Sequence, residues 1–373
     1  MRPLSTINYF LKNKRKLLSN ITVIIVAICL VYIMECFVSS IVQSIYPLDA
    51  TRFEYASVLV STEAVPEIPK EIITSLEESE NIDTVIPVTV RQIVFSVPGS
   101  TTHAAVFSAG SENLAYLVDK FQIEVLAGRL PENGLDEIAI DESVAKNNDL
   151  EIGSRTSIDM SYNLDREYTV VGILDSDSHI SFAGSPTLQD SALKYDETGY
   201  LVFASDGHFE QMENEVSLLS GQGINVWTLS LYNKMYEKNN QTFQILDTMV
   251  ILAIVVMVVC LVCSKYAQFF SRKSEIGILS ALGYTRKEIS KRTFQEVIFT
   301  NLIGFVVGLV IAILLSKTIV TIIFDDIGGT GVYLYWKAAI LSLLAPTLTT
   351  ICTLFPVNRL INKVDAISIV TNN

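Results

Sequence analysis

The segment Arg272-Lys273-Ser274-Glu275-Ile276-Gly277-Ile278-Leu279-Ser280-Ala281-Leu282-Gly283-Tyr284-Thr285-Arg286-Lys287-Glu288-Ile289 reads as helix, turn, helix. Ile276, Ile278, Leu279 and Leu282 give the first helix an apolar side. Gly283 suits the left-handed position just past a helix end. Thr285 and Glu288 stand three apart, the spacing of a capping box that starts the next helix. A short apolar helix with basic neighbours, held between two spans, suits docking to another protein. It suits equally a helix lying in a lipid interface, and the segment's own physics leaves both readings open.

Working outward, the segment lies between two of four runs that meet the requirement of about 20 mostly apolar residues for a membrane helix. The runs are 18–45, 243–269, 297–323 and 336–356. Pro346 interrupts the fourth, so neighbouring helices must satisfy the backbone group it frees. Gly304 and Gly308, four apart in the third, permit close helix–helix approach. Lys12, Lys14, Arg15 and Lys16 precede the first run. Lys265, Arg272, Lys273, Arg286, Lys287, Lys291 and Arg292 lie between the second and third, and Arg359 and Lys363 follow the fourth. Basic flanks mark the cytoplasmic side, so both termini are expected inside and residues 46–242 outside. Leu4, Ile7, Phe10 and Leu11 have the spacing of an amphipathic helix on the inner surface. Glu35 lies ~25 Å along a helix from Leu18 and reads as an interfacial or stalk carboxylate.

Charge separates the chain into two materials. Residues 45–242 hold 11 Lys/Arg against 32 Asp/Glu, a balance of −21, while the remainder is basic. A net charge of −13 argues against a nucleic-acid partner. The acidic region reads as α+β. Residues 55–60, 68–80 and 84–95 form one β-α-β unit, and 199–203, 208–219 and 224–229 a second. Between them, short strands are expected at 136–140, 156–160 and 168–174, followed by a flexible polar loop over 175–198. Residues 233–244 read as a helical stalk that continues into the second span. All five cysteines (Cys29, Cys36, Cys260, Cys263, Cys352) fall in apolar runs. No disulfide is therefore expected in the acidic region, and the Cys260/Cys263 pair reads as small apolar helix residues. His103, His179 and His208 show no metal spacing and read as solvated loop residues, and no nucleophile elbow is present.

The quoted segment closely resembles the E-I-G-I-L-x-A-L-G loop of FtsX-like and MacB-type permeases. Gly128-Arg129-Leu130-Pro131, Asp136-Glu137-Ile138-Ala139-Ile140, Leu150-Glu151-Ile152-Gly153 and Tyr168-Thr169-Val170-Val171-Gly172-Ile173-Leu174 resemble, in order, that family's external domain. Pro356 through Asp365-Ala366-Ile367 resemble its tail. The resemblance implies a fold of four transmembrane helices plus an extracytoplasmic α+β domain between helices 1 and 2. That domain has porter-like parts at 55–99 and 199–230 and an inserted subdomain at 100–195. The full layout is a cytoplasmic amphipathic segment 1–17, span and stalk 18–45, domain 46–242, span 243–269, coupling loop 270–296, span 297–323, external loop 324–335, span 336–356 and cytoplasmic tail 357–373.

It implies further that Glu275, Ile276, Gly277, Ile278, Leu279, Ala281, Leu282 and Gly283 dock a cytoplasmic ABC ATPase. A second permease chain would complete a homo- or heterodimer in a bacterial cell membrane. The chain has no G-x-x-x-x-G-K-[ST], so ATP and Mg are expected on the partner and no catalytic, cofactor or metal site on this chain. The implied function is export of, or resistance to, peptides, toxins or hydrophobic compounds, with a possible external peptide or protein partner. The alternatives are mechanotransmission to an external partner such as a cell-wall hydrolase and, less favoured, lipoprotein release.

Overall fold

The computed structural model describes residues 14–62, 67–157, 166–184, 197–220, 222–239 and 241–363. The expected amphipathic segment before Lys14 and the tail motif at 365–367 lie outside the described residues. The chain divides into two compact units, one of residues 1–39, 243–320 and 332–373, the other of 40–242 and 321–331.

Four helices are long and apolar enough to cross a membrane: Leu18–Glu54, Asp247–Ser271, Arg286–Ile327 and Trp336–Val357. They belong to helices α1 (Lys14–Ala50), α7 (Gln241–Ser271), α9 (Arg286–Phe324) and α10 (Trp336–Lys363). Helices are the economical solution here, because every backbone N–H and C=O in hydrocarbon must be satisfied within the segment. Gly304 and Gly308 on α9 meet α1 of the same chain. A Cβ on Gly304 would stand 2.7 Å from Ile24 Cγ2, and one on Gly308 3.2 Å from Ile25 Cα. Beside Pro346, Asn301 of α9 bridges to α10: its Nδ2 donates to the Pro346 carbonyl at 3.0 Å and to Thr350 Oγ1 at 2.8 Å.

The acidic region forms one nine-stranded sheet. Its elements are β1 (Ser57–Val60), α2 (Lys70–Glu77), β2 (Ile82–Val97), β3 (Ser100–Ala109), α3 (Ser111–Lys120), β4 (Glu124–Gly128), β5 (Glu137–Asp141), α4 (Glu142–Asn147), β6 (Thr169–Asp175), β7 (Ser181–Gly184), β8 (Glu197–Ala204), α5 (Phe209–Ser217), β9 (Asn225–Trp227) and α6 (Leu229–Asn239). The order across the sheet is β4-β6-β5-β7-β3-β2-β8-β1-β9. Side chains alternate between faces, as a period of two requires. Val58, Val60, Ile86, Val88, Leu201 and Phe203 join Leu114, Leu117 and Phe121 on one side. Leu59, Val85 and Val202 pack on the other with Ile73, Leu76, Met212 and Val216 of α2 and α5.

Two sequence expectations change. The region 100–195 does not stand apart from the sheet: β3 pairs with β2 from Ser100↔Val97 to Ser108↔Thr89. The turn at Pro98-Gly99, with Gly99 at φ 79°, closes this long hairpin and carries the sheet through the expected boundary. Within the expected flexible loop, 181–184 is instead the buried strand β7, parallel to β3 and antiparallel to β5. Its Ser-Phe-Ala-Gly run is short enough to be masked by polar neighbours, and residues 185–196 lie outside the described set. Of the expected strand at 156–160, Arg155 makes an isolated bridge to Thr169 just before it, and 158–160 are outside the described residues.

His208 is an exposed residue outside helix and strand, as expected, but the other two histidines differ from solvated loop residues. His103 lies within β3, and His179 Nδ1 lies 3.0 Å from Oδ1 of the buried Asp141. Asp141 also caps α4, accepting from the N–H groups of Ser143 and Val144. Burial alone would lower the His179 pKa. The hydrogen bond and charge of Asp141, with Asp175 and Asp177 nearby, outweigh it and hold the pKa above the ordinary 6.5. A raised folded-state pKa gives stability that is complete below the unfolded value and disappears as pH rises through the folded one. Thermal unfolding of the full chain in detergent, followed between about pH 5.5 and 8, should therefore show a decline with pH that His179→Gln reduces. An unchanged decline in the variant would remove this pair as its source.

Candidate functional site

The helix-turn-helix segment forms α8 (Lys273–Ala281), between α7 and α9. Its end is fixed by its own backbone. Gly283 has φ 88°, Tyr284 N donates to Leu279 O at 3.2 Å, and Gly283 N donates to Ser280 O at 3.1 Å. These are the paired bonds of a Schellman motif. The capping box follows at once. Glu288 Oε2 accepts from Thr285 N and Oγ1, both at 2.8 Å, and Glu288 N donates to Thr285 Oγ1 at 3.3 Å. One helix is thus closed and the next opened within a few residues, which leaves α8 little freedom to change its direction.

The start of α8 is held by charge. Arg272 Nη1 donates to Glu296 Oε1 at 2.7 Å, and its Nε and Nη2 donate to Glu275 at 2.9 and 3.2 Å. Arg272 and Glu296 side chains are 10% and 7% exposed, and Lys265 of α7 is buried too. A guanidinium suits this place because its planar fork can engage two carboxylates at once. The sequence reading counted Arg272 and Lys265 only as basic flanks and passed over Glu296. The available signal was an acidic residue beside an apolar run, which in a membrane helix marks a paired group.

The expected docking residues divide by face. Ile276 is buried with Phe269, Ile289, Val297 and Val357, and Leu279 packs against this cluster. Gly277 is buried as well. Glu275 is committed to Arg272, and Gly283 forms the turn. Ile278 (58% exposed) and Leu282 (71%) point away, with Ser274 and Ala281 on the same exposed side. Positions 274, 278, 281 and 282 make one helical stripe, flanked by exposed Lys273, Arg286 and Lys287.

Elsewhere in this unit, Lys337 Nζ pairs with Glu35 Oε1 at 2.9 Å and with Asp247 Oδ1 at 3.7 Å. Glu35 is therefore buried and paired, with partners at the first turns of the apolar stretches Asp247–Ser271 and Trp336–Val357. The counter-ion that makes this tolerable comes from α10, remote in sequence. An apolar groove of about 340 Å³ opens between α9 and α10, lined by Ile298, Leu302, Phe305, Leu343 and Ile351 among others. Among the described residues no His, Cys, Asp or Glu group could hold a metal ion.

Residues 248–364 match the family described as FtsX-like permease C-terminal. The last third of the chain is thus similar to the C-terminal part of FtsX-like permeases, and the four long apolar helices are those of a membrane protein. A relative from Staphylococcus epidermidis strain RP62A, named as the hemin transport system permease protein HrtB, is 23% identical over 295 residues. The match covers 78% of this chain and 80% of that protein. The corresponding protein of strain ATCC 12228 matches to the same extent. Two solved structures are similar at 14% identity: the periplasmic region of MacB from Actinobacillus actinomycetemcomitans and the extracellular domain of YknZ from Gram-positive bacteria. They cover 52% and 47% of this chain, and 98% and 99% of those chains, with TM-scores of 0.32 and 0.29.

The buried fork makes a quantitative prediction. Removing one member of a buried ion pair costs about 3–5 kcal/mol, because the other charge is left unpaired. Arg272→Ala should lower the unfolding midpoint strongly, and adding Glu296→Leu should restore part of the loss. Additive losses in the double variant would show that the two side chains do not interact.

Proposed function

We propose that the chain couples ATP hydrolysis by a separate cytoplasmic ATPase to movement of its α/β domain. The single observation that carries this reading is the exposed stripe of Ile278 and Leu282 on a helix whose two ends are fixed. A face that only lay in lipid would have no need of the Arg272 fork and the closed turn. A lever that receives force needs both. Basic residues on the flanks of α8 support a cytoplasmic placement, and in this reading the acidic domain and the 324–335 loop face outward and both termini face the cytoplasm. A second permease chain, identical or different, completes the membrane assembly.

The substrate class favoured is peptides, toxins or hydrophobic compounds for export or resistance. The groove between α9 and α10 supports the apolar end of that range, being within the size of small-ligand sites. The relative's name adds hemin to the compounds to be tested.

Purification of the tagged full chain from native membranes tests the coupling directly. An ABC ATPase should accompany it and be lost from Ile278→Asp and Leu282→Asp, both with unchanged unfolding midpoints. Leu279→Asp should instead destabilise the chain, since that side chain packs inward. Retention of the ATPase by both exposed-face variants would place docking elsewhere.

A further inference from the structure

The loop that joins α9 to α10 is bound to the α/β domain by a contact that neither the family match nor the relatives describe. Residues 321–331 belong to the same compact unit as the sheet. Asp325–Ile327 form a short 3-10 helix, ended by Gly328 at φ 68°. The next two backbone groups turn back along the stalk: Thr330 N donates to Ser44 Oγ at 2.9 Å, and Gly329 N to Phe324 O at 2.8 Å.

Asn147, the last residue of α4, connects three pieces. Its Oδ1 accepts from Ser96 N at 2.7 Å. Its Nδ2 donates to Ser96 O at 2.8 Å and to Ile327 O at 2.7 Å. Both amide hydrogens are used, one on the β2–β3 hairpin and one on the α9–α10 loop. No other side chain of this length offers two donors and an acceptor in this arrangement. Aspartate lacks the donors, and glutamine is longer by a methylene. The loop is shaped to match: a Cβ on Gly328 would press into the Ser143 backbone of α4, 3.0 Å from its Cα. Asn148 adds a second bond to the same hairpin, Nδ2 to Val94 O at 3.0 Å.

The hairpin held by Asn147 is the element through which the sheet crosses from β7 on one side to β8 on the other. A displacement of the α9–α10 loop thus has a hydrogen-bonded route into the middle of the sheet, separate from the covalent connections through α1 and through α6 and α7. We infer that the α9–α10 loop is a mechanical input to the α/β domain and that Asn147 is the positioning residue that joins them. As a step in an ATP-driven cycle this rests on the coupling proposed above; as a tether it stands on the contacts alone.

Hydrogen exchange on the full chain in lipid nanodiscs tests the tether without any ATPase. Asn147→Ala should raise exchange in both 94–97 and 325–331, by about fivefold or more for loss of shared hydrogen bonds. Gly328→Ala, whose substitution lies in the loop, should raise exchange at Ser96 as well. A Gly328→Ala effect confined to 325–331 would overturn the tether. In the purified complex with its ATPase, Asn147→Ala and Asn147→Asp should keep basal ATP turnover while losing the nucleotide-dependent change of exchange in β2 and β3. A persistent nucleotide-dependent change in both variants would overturn the mechanical role. If the wild-type chain carries no ATPase, the coupling reading fails while the tether is still decided by the exchange of the chain alone.

Discussion

The fork of Arg272 between Glu275 and Glu296 is the constraint on which the account of the membrane unit depends. Without it, α8 would be a nine-residue helix joined to α9 by a turn, too short to be stable by itself and free to settle in the lipid interface. With it, the first turn of α8 is fixed to a residue one helix away, while the Schellman turn and the capping box fix the last. The apolar cluster of Phe269, Ile276, Ile289, Val297 and Val357 fills the space beneath. What remains exposed is a narrow stripe, and its exposure is a consequence of the others being occupied.

The α/β unit is organised by a different constraint, the long β2–β3 hairpin. Strands on either side of it would be two small sheets with four open edges. The hairpin makes them one, and leaves β4 and β9 as the edges. It also gives one element contact with α4, which Asp141 caps, His179 braces and Asn147 joins to the hairpin. Short helices such as α4 have little stability of their own, so their position reports on the side chains that hold them.

Local features were legible in the sequence, and remote ones were not. Gly283, Thr285 and Glu288 act within a few residues, so their roles follow from spacing. The four apolar runs and the two β-α-β units were legible because length and periodicity alone define them. The strand at 181–184 was hidden because four residues carry no periodic signal and its partners, β3 and β5, are far away in the chain. The same holds for the charged groups. The pairing of Glu35 was not legible because its counter-ion, Lys337, stands about 300 residues later. The role of Glu296 was equally hidden, since its partner Arg272 stands on the far side of α8 in the chain. Asn147 gave no signal at all, since its bond to Ile327 joins positions 180 apart.

The most direct measurement of the central claim is site-specific photo-crosslinking in living cells. A photoreactive residue at 282, on the exposed stripe of α8, is compared with one at 252, an exposed apolar position of α7. The account predicts a nucleotide-binding protein attached at 282 and absent at 252. Equal labelling of lipid at both positions, with no protein captured at 282, would contradict it and return α8 to the membrane interface.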